Sequence, residues 1–324
     1  MTDAASATVF QTRNAICNVL AGRDKRLIVV VGPCSIHDTK AAREYANRLK
    51  ETSARLSNEL IVVMRVYFEK PRTTIGWKGL INDPYLDQSY KINDGLRLAR
   101  RLLLDLAEMG VPAGTEFLDM ISPQYVAALV SWGAIGARTT ESQIHRQLVS
   151  GLSCPVGFKN ATSGDVQIAI EAMLSAANTH TFLGHSKYGQ SAIFVTNGNP
   201  DTHVILRGGR KSVNYTAEAV AEVCAKLEKF KLKPQVMIDC SHANCQKDHS
   251  RQSAVCRDVA AQIAKGVGSR IIGLMIESNL VAGSQPLVAG KPLTYGQSIT
   301  DACIGWDETS DLLHELAAAV KAGR

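Results

Sequence analysis

Short, unbroken runs of branched apolar residues alternate along this chain with helix-patterned stretches, and that alternation restricts its fold more than any other feature. Leu27-Ile28-Val29-Val30-Val31 is apolar throughout before Gly32-Pro33-Cys34-Ser35 interrupts it. Similar runs cover residues 60–67, 112–118, 134–138, 155–159, 204–207, 235–239 and 270–277. A strand with one wet face alternates apolar and polar residues, whereas a strand covered on both faces loses the alternation, so these runs read as a parallel sheet.

Helical patterns fill the gaps. Residues 94–108 place Leu96, Ala99, Leu103 and Leu106 on one side before Gly110, a helix stop. Ser122-Pro123 reads as an N-cap followed by proline in the first turn, ahead of residues 125–130. Thr216 precedes an Ala/Val/Leu-periodic stretch, and residues 252–264 form another. Eight runs with intervening helices in 324 residues meet the requirement of an α/β fold of the (β/α)8 TIM-barrel type, with a doubly wound sheet as the alternative. The expected division is a short N-terminal extension, residues 1–26, carrying a helix around residues 14–20, and a barrel catalytic domain, residues 27–324. Two segments, 181–185 and 191–196, read as a β-hairpin inserted before strand six.

In such a barrel the chemistry sits at the C-terminal ends of the strands and the loops after them. Strand two contains Arg65 and leads to Lys70 and Arg72, strand four ends at Arg138, strand five at Lys159 and strand six at Arg207. Cations crowded into one mouth repel each other without anionic ligands, so they point to substrates rich in phosphate and carboxylate. A single one of them reads more simply as a surface ion pair. Cys34, His242, Glu277 and Asp301 occupy the ends of strands one, seven and eight and the following loop. Thiolate, imidazole and carboxylates suit a divalent transition ion such as Mn²⁺, Fe²⁺, Co²⁺ or Zn²⁺. His37, Asp239 or Cys240 could replace one of the four, with at most one of the adjacent pair Asp239 and Cys240 facing the site.

Several function classes fall away. The surplus of 36 Lys+Arg over 30 Asp+Glu is scattered, with no basic run and no clustered aromatics, which disfavours nucleic-acid binding. No apolar run nears the ~20 residues of a membrane helix, and the N-terminus lacks the layout of a secretory signal. The 8 cysteines contain no Cys-x-x-Cys pair and read as reduced thiols, so the expected location is the cytoplasm. Phosphate-loop, dinucleotide-binding and nucleophile-elbow motifs are missing from the sequence.

The blocks Gly32-Pro33-Cys34-Ser35-Ile36-His37-Asp38, Met64 to Thr74 with Gly76-Trp77-Lys78-Gly79, and Gly136-Ala137-Arg138-Thr139-Thr140-Glu141-Ser142 carry a specific resemblance. So do Gly157-Phe158-Lys159-Asn160, Leu206-Arg207-Gly208-Gly209, Asp239-Cys240-Ser241-His242-Ala243-Asn244, Ile276-Glu277-Ser278 and Ser298 to Cys303. With them the chain closely resembles the type I 3-deoxy-D-arabino-heptulosonate-7-phosphate (DAHP) synthases. The resemblance implies a metal-dependent transferase on a (β/α)8 barrel that joins phosphoenolpyruvate to D-erythrose 4-phosphate, consumes water and releases phosphate. It implies metal ligation by Cys34, His242, Glu277 and Asp301, and phosphoenolpyruvate contacts from Arg65, Lys70, Ala137, Arg138, Lys159 and Arg207. Lys70, Pro71, Arg72 and Thr73 would hold erythrose 4-phosphate, Arg72 at its phosphate. Lys70, touching both substrates, is the expected proton donor, with Cys34, His242 and Asp301 completing the catalytic set.

Regulated members carry a longer leading segment that helps build a feedback pocket. The corresponding region here holds Pro123, Ser153, Phe182 and Gly184, and weak or absent feedback is the expectation. A homodimer or homotetramer is expected from the resemblance. Two rival enzymes remain. A 3-deoxy-D-manno-octulosonate-8-phosphate synthase has Lys-Ala-Asn-Arg where this chain has Lys70-Pro71-Arg72-Thr73, and a Schiff-base aldolase would use Lys159.

Overall fold

The computed structural model of the protein describes residues 1–72, 74–266, 270–288 and 290–324. In chain order the elements begin α1 (Asp3–Leu20), β1 (Leu27–Gly32), α2 (Thr39–Arg55), β2 (Leu60–Arg65), α3 (Ile92–Glu108), β3 (Ala113–Glu116) and α4 (Pro123–Val126). They continue with β4 (Trp132–Ile135), α5 (Gln143–Ser150), β5 (Val156–Lys159), α6 (Gln167–Ala176), β6 (Thr181–His185) and β7 (Ser191–Val195). The chain ends with β8 (Thr202–Leu206), α7 (Ala217–Lys229), β9 (Val236–Asp239), α8 (Gln252–Ala264), β10 (Ile271–Glu277) and α9 (Trp306–Ala322). Eight strands close a barrel in the order β1-β2-β3-β4-β5-β8-β9-β10, and the antiparallel hairpin β6–β7 stands outside it, ahead of the sixth barrel strand. The expected barrel is the fold observed.

Side-chain alternation along each strand sorts the residues into two layers. Ile28 and Val30, Ile61 and Val63, Trp132 and Ala134, Ile205, Met237 and Met275 fill the barrel interior. Their neighbours Val29, Val31, Val62, Met64, Val204, Ile238, Leu274 and Ile276 pack outward against the helices. Ile16, Val19 and Leu20 of α1 join the inner cluster, and the Leu20 carbonyl accepts from Lys233 Nζ and Gln235 Nε2. The N-terminal helix therefore closes the bottom of the barrel.

Three local expectations need correction. Helix α1 starts at Asp3, well before residue 14, because the Thr2 hydroxyl caps it by accepting from Ala5 N. Strand β4 covers Trp132–Ile135, with Trp132 paired to Gly114 and Gly133 to Val156. Arg138 consequently lies in the turn after the strand, where Thr139 and Thr140 donate back to the Gly136 carbonyl. Ser122 does not cap α4 through its side chain, because its hydroxyl donates to Glu69 Oε2 at 2.9 Å. Among the described residues no helix is long and apolar enough to cross a membrane.

Candidate active site

The same alternation that sends Ile61 and Val63 inward also sends Arg65 inward at the end of β2. By that parity Glu116, Lys159, Asp239 and Glu277 point inward at the ends of β3, β5, β9 and β10. The top layer of the barrel is thus ionic where the lower layers are apolar, and four of its five members are paired, Glu116 being the exception. Arg65 is 1% exposed and Lys159 3%. Arg65 Nη2 donates to Glu277 Oε1 at 2.8 Å and Lys159 Nζ to Asp239 Oδ2 at 2.9 Å. Arg65 also donates to the carbonyls of Pro33 and Cys34, and its guanidinium lies 3.6 Å from the centroid of the Tyr67 ring, a stacked cation–π contact. Gly32 leaves room for this arrangement: a Cβ there would sit 2.8 Å from the Arg65 carbonyl oxygen.

Cys34, Glu277 and Asp301 offer ligand atoms that all lie within 4.8 Å of one another. His242 stands beside this trio, its Nε2 4.0 Å from Glu277 Oε1. Its backbone is left-handed at φ 58°, a conformation His tolerates better than most residues. The turn is fixed by Asn244 Nδ2, which donates to the carbonyls of Leu206 and Asp239, and by Lys247 N donating to the His242 carbonyl. Asp239 takes no place among the ligand atoms. It is fully buried behind His242, its Oδ2 2.9 Å from His242 Nδ1. Cys240 turns outward into the helix-facing layer. His37 lines a separate cleft with Leu80 and Tyr295.

Electrostatics within the cluster are strongly coupled. Burial pushes the Cys34 thiol up to about 11, and the nearby Glu277 charge adds to the effect. The thiol donates to Asp301 Oδ2 at 3.6 Å, and Lys70 Nζ lies 3.1 Å from its sulfur. Burial disfavours the Lys70 ammonium, yet Cys34 and Glu277 outweigh it and hold the group above its ordinary value. Burial likewise works against ionised Asp239, but His242 and Lys159 hold its carboxyl well below the usual range.

Above this floor opens a cleft of about 330 Å³, lined by Lys70, Pro71, Arg72, Ala137, Arg138, Lys159, Arg207, His242 and Asp301. Arg65, Cys34 and Glu277 lie beneath the lining. Arg138 Nη1 approaches the Pro71 carbonyl at 3.5 Å. The backbone of Arg207 is anchored through its N–H to Asn160 Oδ1 at 2.8 Å, while burial lowers the proton affinity of its guanidinium. Thr73 lies outside the described residues. Glu116 also lines the cleft and escaped the strand-end reading; its Oε1 is buried with no hydrogen-bond partner. A Cβ at Gly136 would come within 2.4 Å of that oxygen.

Glu69, next to Lys70, is 7% exposed, and burial raises its carboxyl to about 7 from 4.5. The folded state therefore binds this proton more tightly than the unfolded chain. The associated stability is fully present below about pH 4.5 and is lost as pH rises through about 7. Glu69→Gln is expected to gain up to about 3 kcal/mol relative to the parent between pH 4.5 and 8.5. Urea unfolding at those two pH values checks this, and an equal difference at both would overturn it.

A second, larger cavity of about 860 Å³ lies away from the barrel mouth, and Pro123, Ser153, Phe182 and Gly184 all line it.

A profile of the DAHP synthetase I family matches residues 5–314. This chain belongs to that family. It is a DAHP synthase, and the similarity spans nearly all of this chain and about nine-tenths of its relatives. The Phe-sensitive phospho-2-dehydro-3-deoxyheptonate aldolase of Escherichia coli K12 is 61% identical over 323 residues, covering 100% of this chain and 92% of that one. The Trp-sensitive protein of Escherichia coli O157:H7 is 54% identical over 320 residues, covering 99% and 91%. The solved structure of the Francisella tularensis SCHU S4 protein of the same name superimposes with a TM-score of 0.97 at 56% identity, covering 100% and 94%. Names that declare sensitivity to Phe and Trp run against the expectation of weak or absent feedback. All four positions that the resemblance assigns to a feedback pocket line one cavity here.

Proposed function

We propose that the cleft joins phosphoenolpyruvate to D-erythrose 4-phosphate and water, giving DAHP and phosphate. The observation that carries this reading is the convergence of Lys70, Arg72, Arg138, Lys159 and Arg207 on one cleft directly above the Cys34–Glu277–Asp301 trio. Phosphoenolpyruvate bears a carboxylate and a phosphate on three carbons, so several fixed cations are needed to hold it; Arg65, Lys70, Arg138, Lys159 and Arg207 fill that role, with the backbone at Ala137. Arg72, exposed at the rim, takes the phosphate of erythrose 4-phosphate beside Lys70 and Pro71. Thr73 belongs to the same segment.

The donor set fits a divalent transition ion: a thiol and two carboxyl groups within 4.8 Å, with an imidazole nitrogen adjacent. Cys34, His242, Glu277 and Asp301 would hold Mn²⁺, Fe²⁺, Co²⁺ or Zn²⁺, which polarises the aldehyde oxygen of the sugar when bound. The substrate cations hold C3 of phosphoenolpyruvate against the aldehyde carbon, and the new C–C bond leaves the alkoxide of the former aldehyde and cationic character at C2. Lys70 gives a proton to that oxygen. Water adds at C2, one of its protons passing to the unpartnered Glu116 Oε1, and the phosphohemiketal collapses to the ketone as its hydroxyl proton leaves with the expelled phosphate. A Lys70→Ala enzyme is expected to lose about 10²–10⁴-fold in kcat, and binding of both substrates with an unchanged rate would overturn the assignment.

The deciding experiment follows phosphoenolpyruvate consumption with erythrose 4-phosphate, arabinose 5-phosphate or neither. Consumption with the four-carbon sugar alone is the expected result. Consumption with arabinose 5-phosphate would favour the octulosonate enzyme, and borohydride trapping of Lys159 with a sugar phosphate would favour the aldolase. We also place the enzyme in the cytoplasm as a homodimer or homotetramer. The hairpin supports self-association, since Leu183, Ile193 and Val195 on one of its faces are 80%, 71% and 73% exposed.

A further inference from the structure

We propose that Asp239 is a positioning residue that ties the phosphoenolpyruvate site to the metal site through a single carboxylate oxygen. Oδ2 of Asp239 accepts from Lys159 Nζ and lies against His242 Nδ1, each at 2.9 Å. Its other oxygen, Oδ1, accepts from Ser241 N at 3.0 Å and Ser241 Oγ at 2.6 Å. The inference rests on the roles given above to Lys159 and His242.

Proton accounting sets the tautomer of the imidazole. The Ser241 hydroxyl spends its hydrogen on Oδ1, so at its 2.7 Å contact with His242 Nδ1 the ring nitrogen is the donor. Nδ1 therefore carries the hydrogen and donates it to Ser241 Oγ, with the Asp239 Oδ2 charge 2.9 Å from the same nitrogen, and Nε2 is left with its lone pair on the Glu277 side. A carboxylate behind a ligating histidine fixes ring direction and tautomer in this way. The same oxygen holds the Lys159 ammonium at the cleft wall. Asp239 is 0% exposed, so no water competes for it, and a shift of this one group moves both sites together.

Asp239→Asn keeps the shape and removes the charge. Lys159 loses a charge-assisted bond and His242 the carboxylate charge beside Nδ1, and the amide hydrogens oppose either Ser241 N–H or the Lys159–His242 side. Two binding measurements on the full chain separate the arms: Mn²⁺ affinity without phosphoenolpyruvate, from the electron paramagnetic resonance of free Mn²⁺, and phosphoenolpyruvate affinity of the EDTA-treated protein, by calorimetry. The expected result is a loss of about 10–100-fold for Mn²⁺ and about tenfold for phosphoenolpyruvate, with the near-UV circular dichroism preserved. The second sign is diagnostic. Removing a negative charge beside Lys159 would by Coulomb's law alone tighten binding of an anion, so weakening follows only from lost positioning.

If either affinity is unchanged in folded Asp239→Asn, the proposal is overturned. If that variant does not fold, Ser241→Ala supplies the test, with both affinities expected to fall about threefold and an unchanged value overturning the proposal. His242→Ala and Lys159→Met are run alongside. Failure of the first to weaken Mn²⁺, or of the second to weaken phosphoenolpyruvate, overturns the underlying site reading instead.

Discussion

Treatment with EDTA is expected to lower phosphoenolpyruvate consumption by about 10³-fold or more, with Mn²⁺ restoring it, since the expected loss is at least about 4 kcal/mol of transition-state stabilisation. Among the described residues, the buried cations beside the trio already have partners. Arg65 is committed to Glu277, Lys159 to Asp239, and Lys70 to the Cys34 sulfur. In the metal-free site the Cys34 thiol keeps its proton, burial having pushed it up to about 11, and donates it to Asp301. Ion binding must therefore release that proton. The sign follows: Mn²⁺ affinity rises with pH across the neutral range, by about tenfold per unit for each proton released. Titrations of Mn²⁺ at pH 6.5, 7.5 and 8.5 check the slope independently of turnover. Activity that survives EDTA, or a pH-independent Mn²⁺ affinity, would remove Cys34 from the ligand set.

The barrel was legible because strands covered on both faces lose their alternation, and each of the eight apolar runs of this chain overlaps one of the eight barrel strands, the fourth only in part. Much of the site was legible for a related reason. A charged residue ending such a run has one interior to point into, and Arg65, Lys159 and Glu277 all do so. Glu116 escaped this reading because the run was expected to extend to residue 118, whereas β3, Ala-Gly-Thr-Glu, is only 4 residues long and ends at Glu116. Arg138 was taken for a strand end, although Gly136 starts a turn before it. Helix α2 was not anticipated: its buried stripe is built largely from Ala41, Ala42 and Ala46, which resemble surface residues in sequence. The shared oxygen of Asp239 could not be read from spacing at all. It depends on β5 and β9 meeting across the barrel interior, and on a left-handed His242 backbone three residues downstream.

Arg65→Ala is expected to damage stability more than substrate binding, which separates Arg65 from the other cations of the site. A guanidinium has five N–H donors. Four bonds already go to Pro33 O, Met275 Sδ, Cys34 O and Glu277 Oε1, so at most one N–H is left for phosphoenolpyruvate. Truncation strips the Glu277 carboxylate, whose side chain is 3% exposed, of its directly bonded guanidinium, leaving only the more distant Lys70 charge. Breaking a buried pair in this way costs about 3–5 kcal/mol, and the Tyr67 ring loses its cationic partner as well. The single remaining bond to an anionic ligand is worth about 1.5–3 kcal/mol, a rise in KM for phosphoenolpyruvate of about 10–150-fold. Arg65→Lys divides the two effects. Its ammonium still neutralises Glu277 and recovers much of the stability, but it has no planar fork to reach the Pro33 and Cys34 carbonyls and the substrate together, so KM stays raised. Urea midpoints and phosphoenolpyruvate KM measured on both variants decide the matter. An Arg65→Ala protein as stable as the parent would mean that Glu277 finds another partner and that the ionic floor of the barrel is not built as a set of fixed pairs.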